Sequence, residues 1–235
     1  MAARQRRLMT KETNNMNQEK IAALEEIIDN RYSNTAGMIV LKNGETQYEG
    51  YFNGCTAASC INIFSVTKSI ISILIGIAAD RGEIQSVNQK VLDFFPDFPV
   101  ENYNEGETTI RDITLRDLMT MTAPYKHQEE PYLEYFTRDD WVSTALELLG
   151  GPEKAGKFRY TPFIGPDILS GILVKATGQS VLDFAAEHLF APLGITVKGN
   201  VTLENEEAHY AFMNARDVSG WVMDSKGIHA AGWGL

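Results

Sequence analysis

Ser65 and Lys68 combine two residue types whose spacing could support nucleophilic catalysis. They lie near the start of FSVTKSIISILIGIAADRG, residues 64–82, which continues as an almost unbroken apolar run. Residues three apart in a helix share one face, so the lysine amine can reach the serine hydroxyl. Burial among isoleucines disfavours a charged amine, and a neutral amine can accept the serine proton. The Ser65 N–H, at the start of this helix, would supply one oxyanion donor.

The same two residues also have an ordinary structural explanation. Ser and Lys are common, and about one Ser-x-x-Lys is expected by chance in a chain of this length. Under that explanation the serine caps a helix and the lysine is solvated, although a lysine in the first turn opposes the helix dipole. The position of the pair, after a predicted hairpin and at the head of an apolar helix, favours catalysis.

Composition narrows the class of partner. The formal net charge of −10 argues against nucleic acid, because phosphate binding requires clustered Lys and Arg. The one basic cluster, ARQRR at residues 3–7, lies in a polar stretch that we interpret as a flexible tail, residues 1–16. The remainder, residues 17–235, is long enough to bury a sizeable core and is interpreted as one domain.

The chain shows no targeting or membrane signal. The first twenty residues lack the apolar segment of a secretory signal, and the apolar run Ile70–Ala79 is too short to span a bilayer. These features predict a cytoplasmic protein, with loss of a leader from a secreted parent as the alternative. Cys55 and Cys60 lack the spacing of a metal or redox motif and are predicted to be free, buried thiols.

Local patterns predict the elements that must hold Ser65 and Lys68 in place. NQEKIAALEEIIDN, which begins at Asn17, has a helical spacing of apolar residues and Asn17 as its cap. Asn43-Gly44, between two strand-like runs, predicts a β-hairpin. In the helix around Lys68, apolar residues cover nearly the whole circumference, which predicts a helix buried on all sides.

Further helices are predicted in the middle of the chain. Thr114 begins TLRDLMTMT, and Pro166 lies near the first position of GPDILSGILVKATG. Ser180 and Asp183 form a capping pattern in QSVLDFAAEHLFAPLG, and DDWVSTALELLGG is a helix that ends at glycines. Beyond Gly194 the pattern predicts short strands and no helix.

Three segments in the same order resemble the β-lactamase-related serine hydrolases. This family includes class C β-lactamases, low-molecular-weight penicillin-binding proteins and related esterases. FSVTKS resembles its nucleophile motif, and ITLRDLMTMTAPY is similar to its segment I-T-L-R-x-L-L-T-H-T-S-G. KFRYTPFIGPDILSGILVKATGQSVLDFAAEHLFAPLGI resembles the family's Tyr-containing segment with its following helices. The resemblance covers most of residues 17–200.

The resemblance implies a fold and a mechanism. The fold is α/β (α+β type) and β-lactamase/transpeptidase-like, with an antiparallel sheet, packed helices and a mostly helical region at about residues 83–195. Ser65 would be acylated, Lys68 would be its base partner, and Tyr160 would share the proton transfer. The alternative for Tyr160 is a structural role before the next helix. The substrate would be a small-molecule ester, amide or β-lactam.

No metal or organic cofactor is implied. The histidines show no metal-ligand spacing; they are His127, His188, His209 and His229. The sequence also lacks the G-x-S-x-G, H-E-x-x-H and P-loop motifs.

The sequence departs from the family pattern at several positions. Pro162 replaces the asparagine of Tyr-x-Asn, so its contact with substrate is lost or supplied elsewhere. Met121 and Ala123-Pro124 replace His and Ser-Gly, which weakens the case for β-lactam hydrolysis. The third motif, K-T-G or an equivalent, is not found, because VKATG at 174–178 falls between two predicted helices. We therefore expect a C-terminally truncated member with an incomplete sheet.

These features leave three interpretations of function. The first is a serine hydrolase acting through a Ser65 acyl-enzyme. The second is a non-catalytic or truncated penicillin-binding-like protein that binds or slowly traps an acyl donor. The third is a structural remnant that forms a homodimer through an exposed core surface.

Overall fold

The computed structural model describes residues 18–100, 110–215, 217–218 and 220–235. The chain divides into two compact units, one made of Met1–Ile61 with Asn214–Val218 and one made of Asn62–Met213 with Ser219–Leu235. The predicted tail at residues 1–16 and the predicted cap at Asn17 lie outside the described residues. The single domain over residues 17–235 stays a prediction.

The first unit contains a helix and a β-hairpin. Helix α1 spans Gln18–Arg31, and strands β1 and β2 span Gly37–Lys42 and Glu45–Tyr51 in antiparallel pairing. Asn43 and Gly44 join the strands with φ values of 53° and 81°, the left-handed pair that a tight hairpin turn requires. The predicted hairpin is therefore confirmed.

A small apolar core holds α1 against the hairpin. Its buried residues are Ile28, Tyr48 and Phe52, and the partly buried apolar side chains packed around them are Ile21, Leu24, Met38 and Val40. The predicted apolar face of α1 is confirmed. Cys55 and Cys60 are free thiols, but Cys55 is half-buried and Cys60 is exposed. The prediction of buried thiols was wrong because the chain around them is a surface turn.

The second unit is mostly helical. A 3₁₀ turn at Phe64–Val66 leads into the first helix, and a second 3₁₀ turn lies at Val91–Phe94. The α-helices are α2 Thr67–Asp80, α3 Leu115–Met119, α4 Tyr132–Phe136, α5 Trp141–Leu148, α6 Ile164–Thr177, α7 Val181–Ala185 and α8 Glu206–Asn214. A π turn at Ala186–Phe190 and a 3₁₀ turn at Ala191–Leu193 extend α7. Strands β3, Asn200–Val201, and β4, Trp221–Val222, pair in parallel.

Side-chain caps fix several helix starts as predicted. Thr114 accepts a hydrogen bond from the Asp117 N–H and completes a capping box at α3, and Ser180 accepts from the Asp183 N–H at α7. Pro166 is the third residue of α6 rather than the first, because α6 begins at Ile164. The prediction that no helix follows Gly194 was wrong, since α8 forms there with Phe212 buried.

Burial distinguishes α2 from α6. Helix α2 buries only one face: Ile73 is 47% exposed, and Val66, just before the helix, is 57% exposed. The prediction of a helix buried on all sides was therefore wrong. Helix α6 is the buried one, since its ten residues from Ile164 to Leu173 are all buried. Gly171 permits this packing, because a Cβ there would lie 2.8 Å from both methyl groups of Val142 on α5. Among the described helices, none is long and apolar enough to cross a membrane.

The two faces of α2 provide a matched test. Leu74 is fully buried and its neighbour Ile73 is half-exposed. We expect Leu74→Ala to lower the free energy of unfolding by about 2–5 kcal/mol, because it removes buried methyl groups and leaves a cavity. Ile73→Ala, the control, should cost less than about 1 kcal/mol. Urea unfolding measures both, and equal losses would contradict the one-sided burial of α2.

Candidate active site

Ser65, Lys68 and Tyr160 come together in the second unit. Lys68 Nζ lies 3.0 Å from Ser65 Oγ, and the Tyr160 hydroxyl lies 2.8 Å from the same oxygen. The Lys68 amine also lies 5.3 Å from the centroid of the Tyr160 ring. Ser65 is exposed and Tyr160 is 50% exposed, so a substrate can approach the hydroxyl. The three residues named from the sequence thus share one hydrogen-bonded cluster.

The backbone before Ser65 adopts an unusual conformation. Ser65 lies in the 3₁₀ turn, and α2 begins two residues later at Thr67. Phe64 has φ 47°, which L-residues rarely adopt and which costs about 1–2 kcal/mol. Two hydrogen bonds hold it: the Phe64 N–H donates to Asn62 Oδ1 at 2.6 Å, and Thr67 Oγ1 donates to the Phe64 carbonyl at 2.6 Å. This turn orients the serine as strained turns do at many functional sites.

The Lys68 amine has a second partner that the sequence did not suggest. It donates to the Gly232 carbonyl oxygen at 2.6 Å, across 164 residues of sequence. The Ile63 N–H donates to the Leu235 carbonyl at 2.8 Å, which ties the same segment to the turn before Ser65. Position 232 requires glycine, because the backbone of Pro162 lies so close that a Cβ at position 232 would collide with its carbonyl oxygen. The 232–235 segment therefore forms one side of the cluster.

Asp167 anchors the segment that carries this carbonyl. Its carboxylate accepts from the Ala231 N–H at 2.7 Å and from the Tyr135 hydroxyl at 2.8 Å, inside buried helix α6. Burial raises the pKa of Asp167 from 3.8 to about 7, against the opposing effect of the two hydrogen bonds and of the Lys68 charge. Asp167 therefore connects the core of the helix to the residue preceding Gly232.

Glu130 caps the start of α6. Its carboxylate accepts from the Phe163 N–H at 3.0 Å and from the Ile164 N–H at 3.3 Å. Burial raises its pKa, while these hydrogen bonds and the charges of Lys68 and Arg159 lower it. An acceptor at a helix N-terminus satisfies N–H groups that have no partner within the helix. Glu130 thereby holds the segment that follows Tyr160.

The residues at and next to the departures from the family pattern lie in described structure. Thr161 is buried, and its Oγ1 and the Tyr125 hydroxyl both lie close to Gly165, where a Cβ would contact them. Met121 has φ 55°, and its carbonyl accepts from the Arg159 N–H at 2.8 Å. VKATG ends α6, with Gly178 in the left-handed conformation at φ 70°. The predicted place of VKATG in the connection between two helices was wrong for residues 174–177, which belong to α6.

Two histidines sit in desolvated surroundings. Burial, and next the charge of Arg159, lower the pKa of His127 to about 4, and burial lowers the pKa of His229 to about 4. Among the described residues, no group of three or more His, Cys, Asp and Glu side chains could hold a metal ion.

Sequence reasoning missed Gly232, Asp167, Tyr135 and Glu130. One signal was available, since Asp167 is the single carboxylate in the run IGPDILSGILV, which otherwise lacks charged residues. A charge in such a run is costly to bury unless it is hydrogen-bonded. The Gly232 carbonyl gave no signal, because every residue has a carbonyl and its partner lies far away in sequence.

Comparison with a known family gives a match over nearly the whole chain. The family model described as Beta-lactamase matches residues 22–233. A curated relative, the putative penicillin-binding protein PbpX of Bacillus subtilis, is 24% identical over 172 residues, which are 72% of this chain and 41% of that protein.

Two solved structures share the fold. A putative β-lactamase from Bacteroides dorei gives a TM-score of 0.61 at 18% identity over 88% of this chain and 59% of its own. FmtA from Staphylococcus aureus gives a TM-score of 0.59 at 18% identity over 80% of this chain and 52% of its own. The chain spans about half the length of these relatives. The predicted α/β (α+β type) fold class is confirmed.

Asp167→Asn tests the buried carboxylate. The pKa of Asp167 is higher in the folded protein than in the unfolded chain, so the folded state favours the protonated carboxyl. The resulting contribution to stability is fully present below pH 4 and is lost as the pH rises to about 7. Asparagine keeps an acceptor for the Ala231 N–H and carries no charge. We expect the free energy of unfolding of Asp167→Asn, minus that of the wild type, to rise by on the order of 2 kcal/mol between pH 4 and pH 8.

The comparison with wild type isolates this residue. His127 and His229, whose pKa values are lowered, make stability rise with pH, but they are present in both proteins and cancel. Asp80→Asn, at the exposed end of α2, controls for removal of one carboxylate. Urea unfolding at pH 4, 6 and 8 measures the difference, and a value independent of pH would contradict a raised pKa of Asp167.

Proposed function

The chain belongs to the Beta-lactamase family, and on that premise we propose that it is a serine hydrolase acting on a small-molecule ester or amide. One observation carries the proposal: Ser65 Oγ is within hydrogen-bonding distance of both Lys68 Nζ and the Tyr160 hydroxyl. A nucleophile that contacts a base, with the base oriented by a third group, is the arrangement that activates serine. The Gly232 carbonyl is the orienting group for Lys68.

The proposed reaction proceeds through an acyl-enzyme. Ser65 Oγ attacks the carbonyl carbon of the substrate as its proton passes to the Lys68–Tyr160 pair. The tetrahedral intermediate collapses, the proton passes from Lys68 or Tyr160 to the leaving group, and the bond to that group breaks. Water then attacks the acyl carbon, and one of its protons passes to Lys68 or Tyr160. The bond from that carbon to Ser65 Oγ breaks, the carboxylic acid product leaves, and the proton returns to Ser65 Oγ. No metal or cofactor takes part in this scheme.

The geometry supports positioning of both proton-transfer groups. Lys68 is held at two oxygens, so its amine keeps one direction towards Ser65. Tyr160 approaches the same hydroxyl from another segment, which lets the two groups exchange a proton through Ser65. Within the described residues the Ser65 N–H has no acceptor, and it is the first oxyanion donor in this proposal.

Substrate range and location belong to the same proposal. Esters, amides and β-lactams all present the carbonyl that Ser65 would attack, and Pro162, in place of asparagine, favours an ester or peptide over a β-lactam. A cytoplasmic location follows from the sequence-based prediction. The names of the relatives, a penicillin-binding protein and a β-lactamase, support an acyl donor as substrate.

Ser65→Ala is the direct test of this proposal. A fluorophosphonate probe should label the wild type and not Ser65→Ala, and a chromogenic ester should be turned over only by the wild type. Tyr160→Phe should lower the rate of ester turnover by about 10²–10⁴, the range for loss of an acid–base group. Ser69→Ala, one residue beyond Lys68 and exposed, is the matched control and should behave as wild type.

These measurements separate the first interpretation from the second and test Ser65 as the nucleophile. Turnover that depends on Ser65 supports the hydrolase. Labelling of Ser65 without turnover favours the second interpretation, a protein that traps an acyl donor. Equal labelling of wild type and Ser65→Ala would contradict Ser65 as the nucleophile, and intact mass spectrometry after labelling distinguishes these results.

A further inference from the structure

A cavity of about 260 Å³ is lined in part by Arg159, the residue before Tyr160. Its lining includes Lys154, Lys157 and Arg159, and Glu153 is the one acidic residue among those that line it. Tyr160, whose hydroxyl contacts Ser65, directly follows Arg159 in the chain. The wall of the cavity and the proton-transfer cluster are therefore built from consecutive residues.

Two backbone hydrogen bonds form this cavity. The Gly156 N–H donates to the Thr122 carbonyl at 2.9 Å, and the Arg159 N–H donates to the Met121 carbonyl at 2.8 Å. These bonds clamp residues 156–159 along residues 121–122, so the cationic segment faces the wall formed by residues 122–124. The cavity is thus a feature of the folded backbone as well as of surface side chains.

The Arg159 guanidinium is oriented by its neighbours. It donates to the Gln128 carbonyl at 2.5 Å and lies 5.8 Å from the centroid of the Tyr125 ring. Neither contact pairs the guanidinium with a carboxylate, although its charge also acts on Glu130 and lowers the pKa of that residue. A guanidinium fixed in this way loses little conformational freedom when it binds an anion.

The residues that line the cavity carry an excess of positive charge. Three cations and one carboxylate give a net charge of +2, in a chain whose net charge is −10. Among the described residues, no carboxylate lies within ion-pair distance of Lys154, Lys157 or Arg159. A concave site lined by charges of one sign attracts ions of the other sign.

We propose that this cavity is a binding subsite for an anionic group, a phosphate or a carboxylate, carried by the acyl donor. The inference rests on the proposed function and extends it to a substrate class. Its volume lies just below the range of about 300–1,000 Å³ for complete ligand sites, so it suits one group of a larger substrate. The exposed ring of Phe158 at its edge offers an apolar surface for the part that links this group to the reacting carbonyl.

Binding of inorganic phosphate tests the subsite without requiring turnover. Phosphate titrated into the wild-type protein should shift the backbone amide NMR signals of residues 153–159 and saturate. The double variant Lys154→Gln/Lys157→Gln should bind roughly 3- to 30-fold more weakly, as expected for loss of two exposed charge contacts. Lys175→Gln/Lys198→Gln, which removes two exposed lysines outside the cavity, is the control and should bind as wild type.

Two further titrations identify the preferred anion and test whether its binding is electrostatic. Titration with acetate in place of phosphate shows whether a carboxylate is accepted, and tighter binding of either anion assigns the preferred chemistry. Added sodium chloride should weaken binding, because exposed charges are screened. Absence of saturable binding by both anions, or equal affinity in the wild type and the cavity variant, would overturn the inference.

Paired esters test the link to catalysis. 4-Nitrophenyl hemisuccinate carries a carboxylate and 4-nitrophenyl acetate does not. The cavity variant should raise KM for the hemisuccinate roughly 3- to 30-fold and leave kcat and the neutral ester unchanged. If turnover depends on Ser65 but the cavity variant has the same KM for the hemisuccinate as the wild type, the subsite is overturned and the proposed hydrolase is not. Phosphate binding in the absence of any ester turnover would support the subsite and count against the proposed hydrolase.

Discussion

The amine of Lys68 lies between two oxygens, Ser65 Oγ at 3.0 Å and the Gly232 carbonyl at 2.6 Å. A flexible lysine side chain has no fixed direction unless contacts of this kind restrain it. Other parts of the second unit hold those two oxygens in place. The strained turn at Phe64 positions Ser65 Oγ, and the anchored segment around Ala231 positions the Gly232 carbonyl oxygen.

Helix α6 connects both sides of this cluster. Its start, capped by Glu130, fixes the segment after Tyr160, and Asp167 in its first turns holds Ala231. Burying Asp167 opposes stability, since burial raises the pKa of this carboxyl to about 7. A hydrophobic residue there would leave the Ala231 N–H without its acceptor. The geometry of the site is thus maintained by a buried polar network at a cost to the stability of the core.

Much of the local structure could be predicted from sequence, because its causes are local. The hairpin at Asn43-Gly44 and the caps at Thr114 and Ser180 depend on residues within a few positions of one another. The Ser65–Lys68 contact followed from helical spacing for the same reason. The burial of α2 was wrong because an apolar sequence does not reveal which face has a neighbour. The Gly232 carbonyl could not be foreseen, since its role depends on chain folding across 164 residues.

That sequence separation has a consequence for biosynthesis. At about 5–20 residues per second, a ribosome needs on the order of ten seconds or more to extend a chain from Lys68 to Gly232. During that interval the turn at Phe64 and the lysine can form locally, while the carbonyl that restrains the amine does not yet exist. The contact between Ser65 and Lys68 is therefore available first, and the restraint from the Gly232 carbonyl is added last.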